Sequence, residues 1–163
     1  MNSQSDSLLG DLVKRIPGYG GYRARESRRD DDRVTRAFLA ERLDDCKTAL
    51  DQLSQKAIAA GDLDAPLTIE QLRSRIDHAQ ARIRSAVEGY AAWFDSRDVD
   101  TELLDKIAAL DANLISVVDQ IDALAQRQRD KPSVASVGEL AEVIDLLHTR
   151  IDRRNALITA GQD

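Results

Sequence analysis

Aromatic side chains make up only 4% of the 163 residues, and the chain has one cysteine, two histidines and no long apolar run. Each shortage excludes something. Without alternating runs of Val, Ile, Thr and aromatics, no stretch reads as a strand, so the composition predicts an all-α fold. Cys46 has no second cysteine to pair with, and the opening MNSQSDS lacks the basic segment and apolar run of an export signal. The expected compartment is the cytoplasm. No apolar run approaches the roughly 20 residues that cross a bilayer. Positive charge is also short, 23 Lys and Arg against 29 Asp and Glu, and the net charge of -6 argues against general nucleic-acid binding.

The histidines are too few for a helix-bundle di-metal site. Such a site takes Glu-x-x-His from two helices; His148 has Asp145 three residues before it, but His78 has Arg75 there. Cys46 falls on an apolar seam, where it reads as a small core residue, with no sequence-identifiable His or Asn partner to make it a nucleophile. The glycines at 18, 20 and 21 lack the strand, or the Lys-Ser/Thr pair, that marks a phosphate loop. Asp30, Asp31 and Asp32 are consecutive, which fans them around a helix, so they read as a charged solvent face and not as one cation site. No cofactor or metal is expected, and no nucleophile, base and orienting group belong together. The chain reads as a non-enzyme.

What the sequence has in abundance is heptad spacing. Leu39, Leu43, Cys46, Leu50, Leu53 and Ala57 advance by alternating fours and threes, a repeat that keeps one seam toward neighbouring helices. Further seams run Ile69-Leu72-Ile76-Ala79-Ile83-Val87-Tyr90-Phe94, then Leu104-Ile107-Leu110-Leu114-Val117-Ile121-Leu124, then Val137-Leu140-Ile144-Leu147-Ile151-Ile158. Boundaries follow from punctuation. Gly61 closes the first long helix, Thr68 with Gln71 and Ser136 with Glu139 read as capping boxes, and Leu67 with Leu72 as a hydrophobic staple. The predicted helices are about 22–60, 68–95, 100–129 and 136–160. Short connections between them predict an antiparallel up-down-up-down four-helix, coiled-coil-like bundle over residues 22–163.

Residues 1–21 stand apart as a polar tail, a short amphipathic helix over Leu8, Leu9, Leu12, Val13 and Ile16, and a Pro-Gly turn. Beyond the turn the seam vanishes into charge. Between Lys14 and Arg29 there are six Lys or Arg against one Glu, a local positive patch on an acidic chain. Up-down topology collects Tyr19, Tyr22, Phe38, Tyr90, Trp93 and Phe94 at the same end, with the charged turns 23–33 overhanging it. The rings either plug the mouth of the bundle, with their polar atoms reaching water or backbone, or stay partly exposed as an interface. On the second account Tyr19, Tyr22, Arg25, Arg28, Arg29 and Trp93 form a partner-binding patch, with Tyr22 and Trp93 exposed.

Pro17, Gly18, Tyr19, Gly21 and Tyr22, followed by Arg25, Glu26, Arg28 and Arg29, resemble the opening of small, uncharacterised bacterial helical proteins. The resemblance covers about a quarter of the chain, implies a bacterial source and transfers no catalytic residue. The expected function is that of a non-enzymatic interaction or scaffold protein, binding a protein partner or a second copy through its Arg- and Tyr-rich end. The alternative is a peripheral adaptor that holds an anionic surface, membrane or nucleic acid, through residues 8–29.

Overall fold

The computed structural model describes residues 3–23, 27–85, 101–130 and 134–160. Among the described residues the structure is all-helical, with α1 (Ser3–Arg15), α2 (Arg28–Ala59), α3 (Ala65–Ser85), α4 (Thr101–Asp130) and α5 (Val134–Ala160). No described helix is long and apolar enough to cross a membrane.

Three helix starts differ from the sequence reading, each for a local reason. α2 begins at Arg28 instead of Tyr22, because Gly21 and Tyr22 take φ of 72° and 59°, which a right-handed helix cannot continue. α3 begins at Ala65, since the Asp62 carboxylate accepts the amides of Asp64 and Ala65 at 3.1 and 3.0 Å. Pro66 then sits in the first turn, where no amide is needed. Thr68 is therefore inside the helix, and Leu67, proposed as a staple, is 68% exposed. α5 begins at Val134, so Ser136 and Glu139 do not cap it. The end of α2 matches expectation: Gly61 adopts φ of 82°, while the amides of Gly61 and Asp62 donate to Ile58 and Ala57 carbonyls at 3.0 Å.

Most seam positions bury as spaced, with Ala57, Leu124 and Val137 only partly buried. Leu39, Leu43, Cys46, Leu50 and Leu53 of α2 join Ile69, Leu72, Ile76, Ala79 and Ile83 of α3 in one core with the seam residues of α4 and α5. Each fully buried Leu or Ile stabilises the fold by about 1.5–3 kcal/mol relative to exposure. The predicted seam positions Val87, Tyr90 and Phe94 lie outside the described residues.

α2 packs on α3 and α4, and α5 packs on the same two helices. Charged pairs on the rims give relative directions. Between α2 and α3, Asp44 meets Arg84, Lys47 meets Asp77 and Asp51 meets Arg73, so residue numbers run in opposite senses. Between α3 and α5, Arg75 meets Asp145 and Arg82 meets Asp152, so they rise together. His148 sits in that second seam. Its Nε2 lies 3.1 Å from the Arg75 carbonyl and must donate there, which leaves Nδ1 bare to accept from Arg82 at 3.4 Å. The His78 ring stands 5.5 Å away.

α1 lies along α4 with Leu12 and Ile16 in the core. Arg15 reaches Asp119 at 2.6 Å. The side chains of Leu8 and Leu9 are outside the described residues; Val13 is half exposed.

Candidate functional site

Trace the core seams toward the N-terminal end of α2 and they change chemistry without changing spacing. Asp32 lies seven residues before Leu39 and Arg36 seven before Leu43. On α4, Asp111 occupies the place between Leu104 and Val118, and on α5 Arg154 follows Leu140 and Leu147 by sevens. All four charged residues are buried at one level of the fold. Isolated, each would be costly to bury; together they are two acids facing two arginines.

The contacts are direct. Arg154 donates from Nε to Asp111 at 2.5 Å and from Nη2 to Asp32 at 2.7 Å. Arg36 donates from Nε to the other Asp32 oxygen at 2.8 Å. Tyr22 completes the group: its hydroxyl donates to Asp111 at 2.8 Å, and Arg154 Nη2 lies 3.4 Å from that hydroxyl.

Tyr22 gets there through a distorted turn. Pro17–Gly18 leaves α1, Gly18 and Gly21 take positive φ, and Tyr22 itself sits at 59°, a region bulky L-residues avoid. The distortion is held from below. Both oxygens of Asp31 are used, one accepting the Gly20 amide at 2.6 Å and the other the Tyr22 amide at 2.8 Å. A Cβ at Gly20 would stand 3.3 Å from both Asp31 oxygens, so a larger residue there would push the carboxylate back by a few tenths of an ångström. The glycine turn therefore does cradle an anion, and the anion is the chain's own side chain. Arg28 adds a longer contact from Nε to the Tyr22 carbonyl at 3.4 Å. Tyr19 packs edge-on to Tyr22, ring centres 5.6 Å apart.

Burial and the nearby Asp111 push the Tyr22 phenol well above its ordinary range, and burial does the same to Tyr19. Burial alone would lower Arg154, but Asp111, Tyr22 and Asp32 outweigh it and hold the guanidinium charged. Burial raises Asp111, against the pull of Arg154 and the Tyr22 hydrogen bond. Asp31 is likewise raised by burial, opposed by its two amide bonds. A phenol and a guanidinium shifted this way are poor proton donors at neutral pH, so the group suits fixing geometry better than proton transfer. Three polar atoms nearby, the hydroxyls of Tyr19 and Thr35 and Nη1 of Arg28, are buried with no hydrogen-bond partner among the described residues.

These positions overturn part of the sequence reading. Tyr22 is 1% exposed and Tyr19 4%, so neither presents its ring to a partner. Their place in the patch is corrected: both are buried in the core, and the Tyr22 hydroxyl finds a carboxylate instead of water or backbone. Asp31 and Asp32 are not a solvent face but the pin and the hub of the buried group. Among the described residues of 28–33, one face packs inward through Asp31 and Asp32 while Arg29, Asp30 and Arg33 face out. Arg28 is half-buried and Arg29 exposed. Arg25 and Trp93 lie outside the described residues. Among the described residues no three His, Cys, Asp or Glu side chains converge as metal ligands. Cys46 is buried, and burial pushes its thiol up to about 12.

No family model, curated protein or solved structure matches this chain. The functional reading therefore rests on the molecule. The sequence reading places Asp32 on a solvent face and gives no buried role to Arg36, Asp111 or Arg154, although the signal was present. Charges of opposite sign occupy core positions of three different helices, and their seven-residue offsets from buried leucines mark them.

Proposed function

We propose that this protein is a non-enzymatic interaction or scaffold protein whose working surface is the arginine-bearing end above the buried charge network. Four helices, α2 to α5, form the scaffold and alternate in direction along the chain, with α2, α3, α5 and α4 following one another around it. The rim pairs described above support that order. One observation carries the functional reading: Tyr22 is tied to Asp111 and Arg154, and Asp31 of α2 to the amides of Gly20 and Tyr22, while Arg23, Arg29 and Arg33 remain exposed. Rigidly presented arginines are favoured anchors at protein interfaces. The contact surface is thus arginine without the tyrosines, which act underneath it. The catalytic alternative has less support, because Asp111, Arg154 and Tyr22 are all inside and already satisfied by one another.

Affinity capture with the intact chain and with an Arg23→Ala, Arg29→Ala, Arg33→Ala variant tests this reading. Loss of the captured protein with an unchanged melting curve supports it. Equal capture by both chains removes the arginine end as the surface.

The half-exposed Val13 beside exposed Lys14 and Arg15 favours a second reading, an adaptor on an anionic membrane or nucleic acid. It is weakened by Leu12 and Ile16, which lie inside the fold where a lipid surface could not reach them. Sedimentation with anionic vesicles and a gel shift at two salt concentrations separate the two; no binding at low salt removes the adaptor.

A further inference from the structure

Among its described side chains, α1 is tied down by fewer buried polar bonds than the turn that follows it. Its described buried side chains are Leu12 and, just beyond its end, Ile16. Its ion pair, Arg15 with Asp119, is open to solvent on both sides, with 43% and 36% of the two side chains exposed. Residues 19–22, in contrast, are pinned by Asp31 and Asp111. Between the two lie Pro17 and Gly18, both exposed, with Gly18 at φ of 83°.

The seat for α1 on α4 does not depend on α1 for its charge balance. Arg42 of α2 also contacts Asp119 at 3.3 Å and holds Asp122 at 3.2 Å. The acidic rim therefore keeps a cation when Arg15 leaves. A prepared seat, a lightly held amphipathic helix and an exposed bend that only glycine adopts without strain are the conditions for exchange of an element between identical chains.

We propose that α1 of one copy seats on α4 of a second copy, giving an exchanged dimer in which each chain keeps its own Tyr22 and charge network. The occupant is fixed by the fit: among the described residues the seat takes two apolar side chains four residues apart with an arginine beside the second. A second copy carries that pattern as Leu12, Arg15 and Ile16. The proposal is independent of the arginine surface above, so each can fail without the other. In the closed monomer the helix competes at an effective concentration on the order of millimolar, so exchange rises with protein concentration.

Gly18 sets the balance. A Cβ there would meet nothing nearer than Val34 Cγ1 at 3.9 Å, an ordinary contact, but the positive φ strains any residue other than glycine. Gly18→Val therefore penalises the closed bend and leaves the seat untouched.

The experiment is size-exclusion chromatography with light scattering on the full chain, wild type and Gly18→Val, from roughly 1 µM to roughly 1 mM, a range that reaches up to the effective concentration. Energy transfer between separately labelled, mixed chains reports exchange directly. The midpoint for dimer formation is expected to fall roughly a hundredfold in Gly18→Val, because each dimer relieves two bends and the left-handed penalty on a non-glycine residue is worth about tenfold per bend. Adding Leu12→Glu should return that variant to monomer with its helicity retained. If circular dichroism shows that Leu12→Glu does not fold, Arg15→Glu replaces it and must lower the dimer fraction in the Gly18→Val background. A Gly18→Val chain that stays monomeric throughout overturns the proposal, as does a dimer that survives the change used to disarm α1.

Discussion

The two halves of α2 share one seven-residue spacing and carry opposite chemistry. From Leu39 to Leu53 its buried face is apolar, while from Asp31 to Arg36 the buried residues are Asp31, Asp32, Thr35 and Arg36. Apolar contacts are non-directional and tolerate a neighbour of similar volume. A buried carboxylate tolerates only a donor in the right place. Asp32 needs both Arg36 and Arg154, and Asp111 needs Arg154 and Tyr22. The apolar half of the helix thus supplies adhesion, and the charged half selects a single arrangement, including which segment of the N-terminal chain may enter. That selective role is the best-attested use of buried polar groups.

The contrast breaks most sharply at Arg154. Arg154→Met leaves Asp111 and Asp32 buried without their shared cation, and should lower unfolding free energy by about 3–5 kcal/mol in denaturant titrations. The comparable change in the other half, Leu43→Met, should cost less than about 1.5 kcal/mol. Equal losses at the two sites would mean that the halves do not differ in kind.

A narrower cut is Tyr22→Phe, which keeps the ring and removes only the donor to Asp111. A loss of about 1–3 kcal/mol is expected, the range for depriving a buried polar group of its partner. No change in melting would show that Arg154 alone satisfies Asp111.

Away from the network, His148 gives the α3–α5 seam a pH dependence. Burial, Arg82, His78 and Arg75 lower its pKa from the ordinary 6.5 despite the bond to the Arg75 carbonyl. The unfolded chain therefore takes up the proton first as pH falls. Stability is complete above about pH 6.5 and declines as pH drops through that value toward the lower folded one. Melting curves should show this slope, and His148→Gln should flatten it; an unchanged slope would place the acid sensitivity elsewhere. The smallest effect belongs to the exposed cations. Arg29→Ala with Arg33→Ala should shift stability by at most about 1 kcal/mol, and a larger drop in melting temperature would make those charges structural.

Helix content and seam positions were legible in the sequence because amphipathic spacing is a local property. Leu39 through Leu53 and Leu140 through Ile158 announce their buried face within a few turns, whatever they pack against. The starts of α3 and α5 were misread for a related reason: Thr68-Gln71 and Ser136-Glu139 fit a capping pattern, yet Asp62 with Pro66 begins α3 earlier and α5 is already helical at Val134. The candidate site was barely legible. An aspartate after another aspartate looks like a solvated face until the cation that neutralises it is known.

By itself, then, the sequence determined that this chain is helical, where its apolar seams run and that its N-terminal turn is unlike the rest. Only the tertiary structure decided that Tyr22 points inward and that Asp31 and Asp32 are buried. The physical reason is that a buried charge is stable only beside its opposite. Arg154 stands 43 residues beyond Asp111 and 122 beyond Asp32, separations across which no local pattern can pair them.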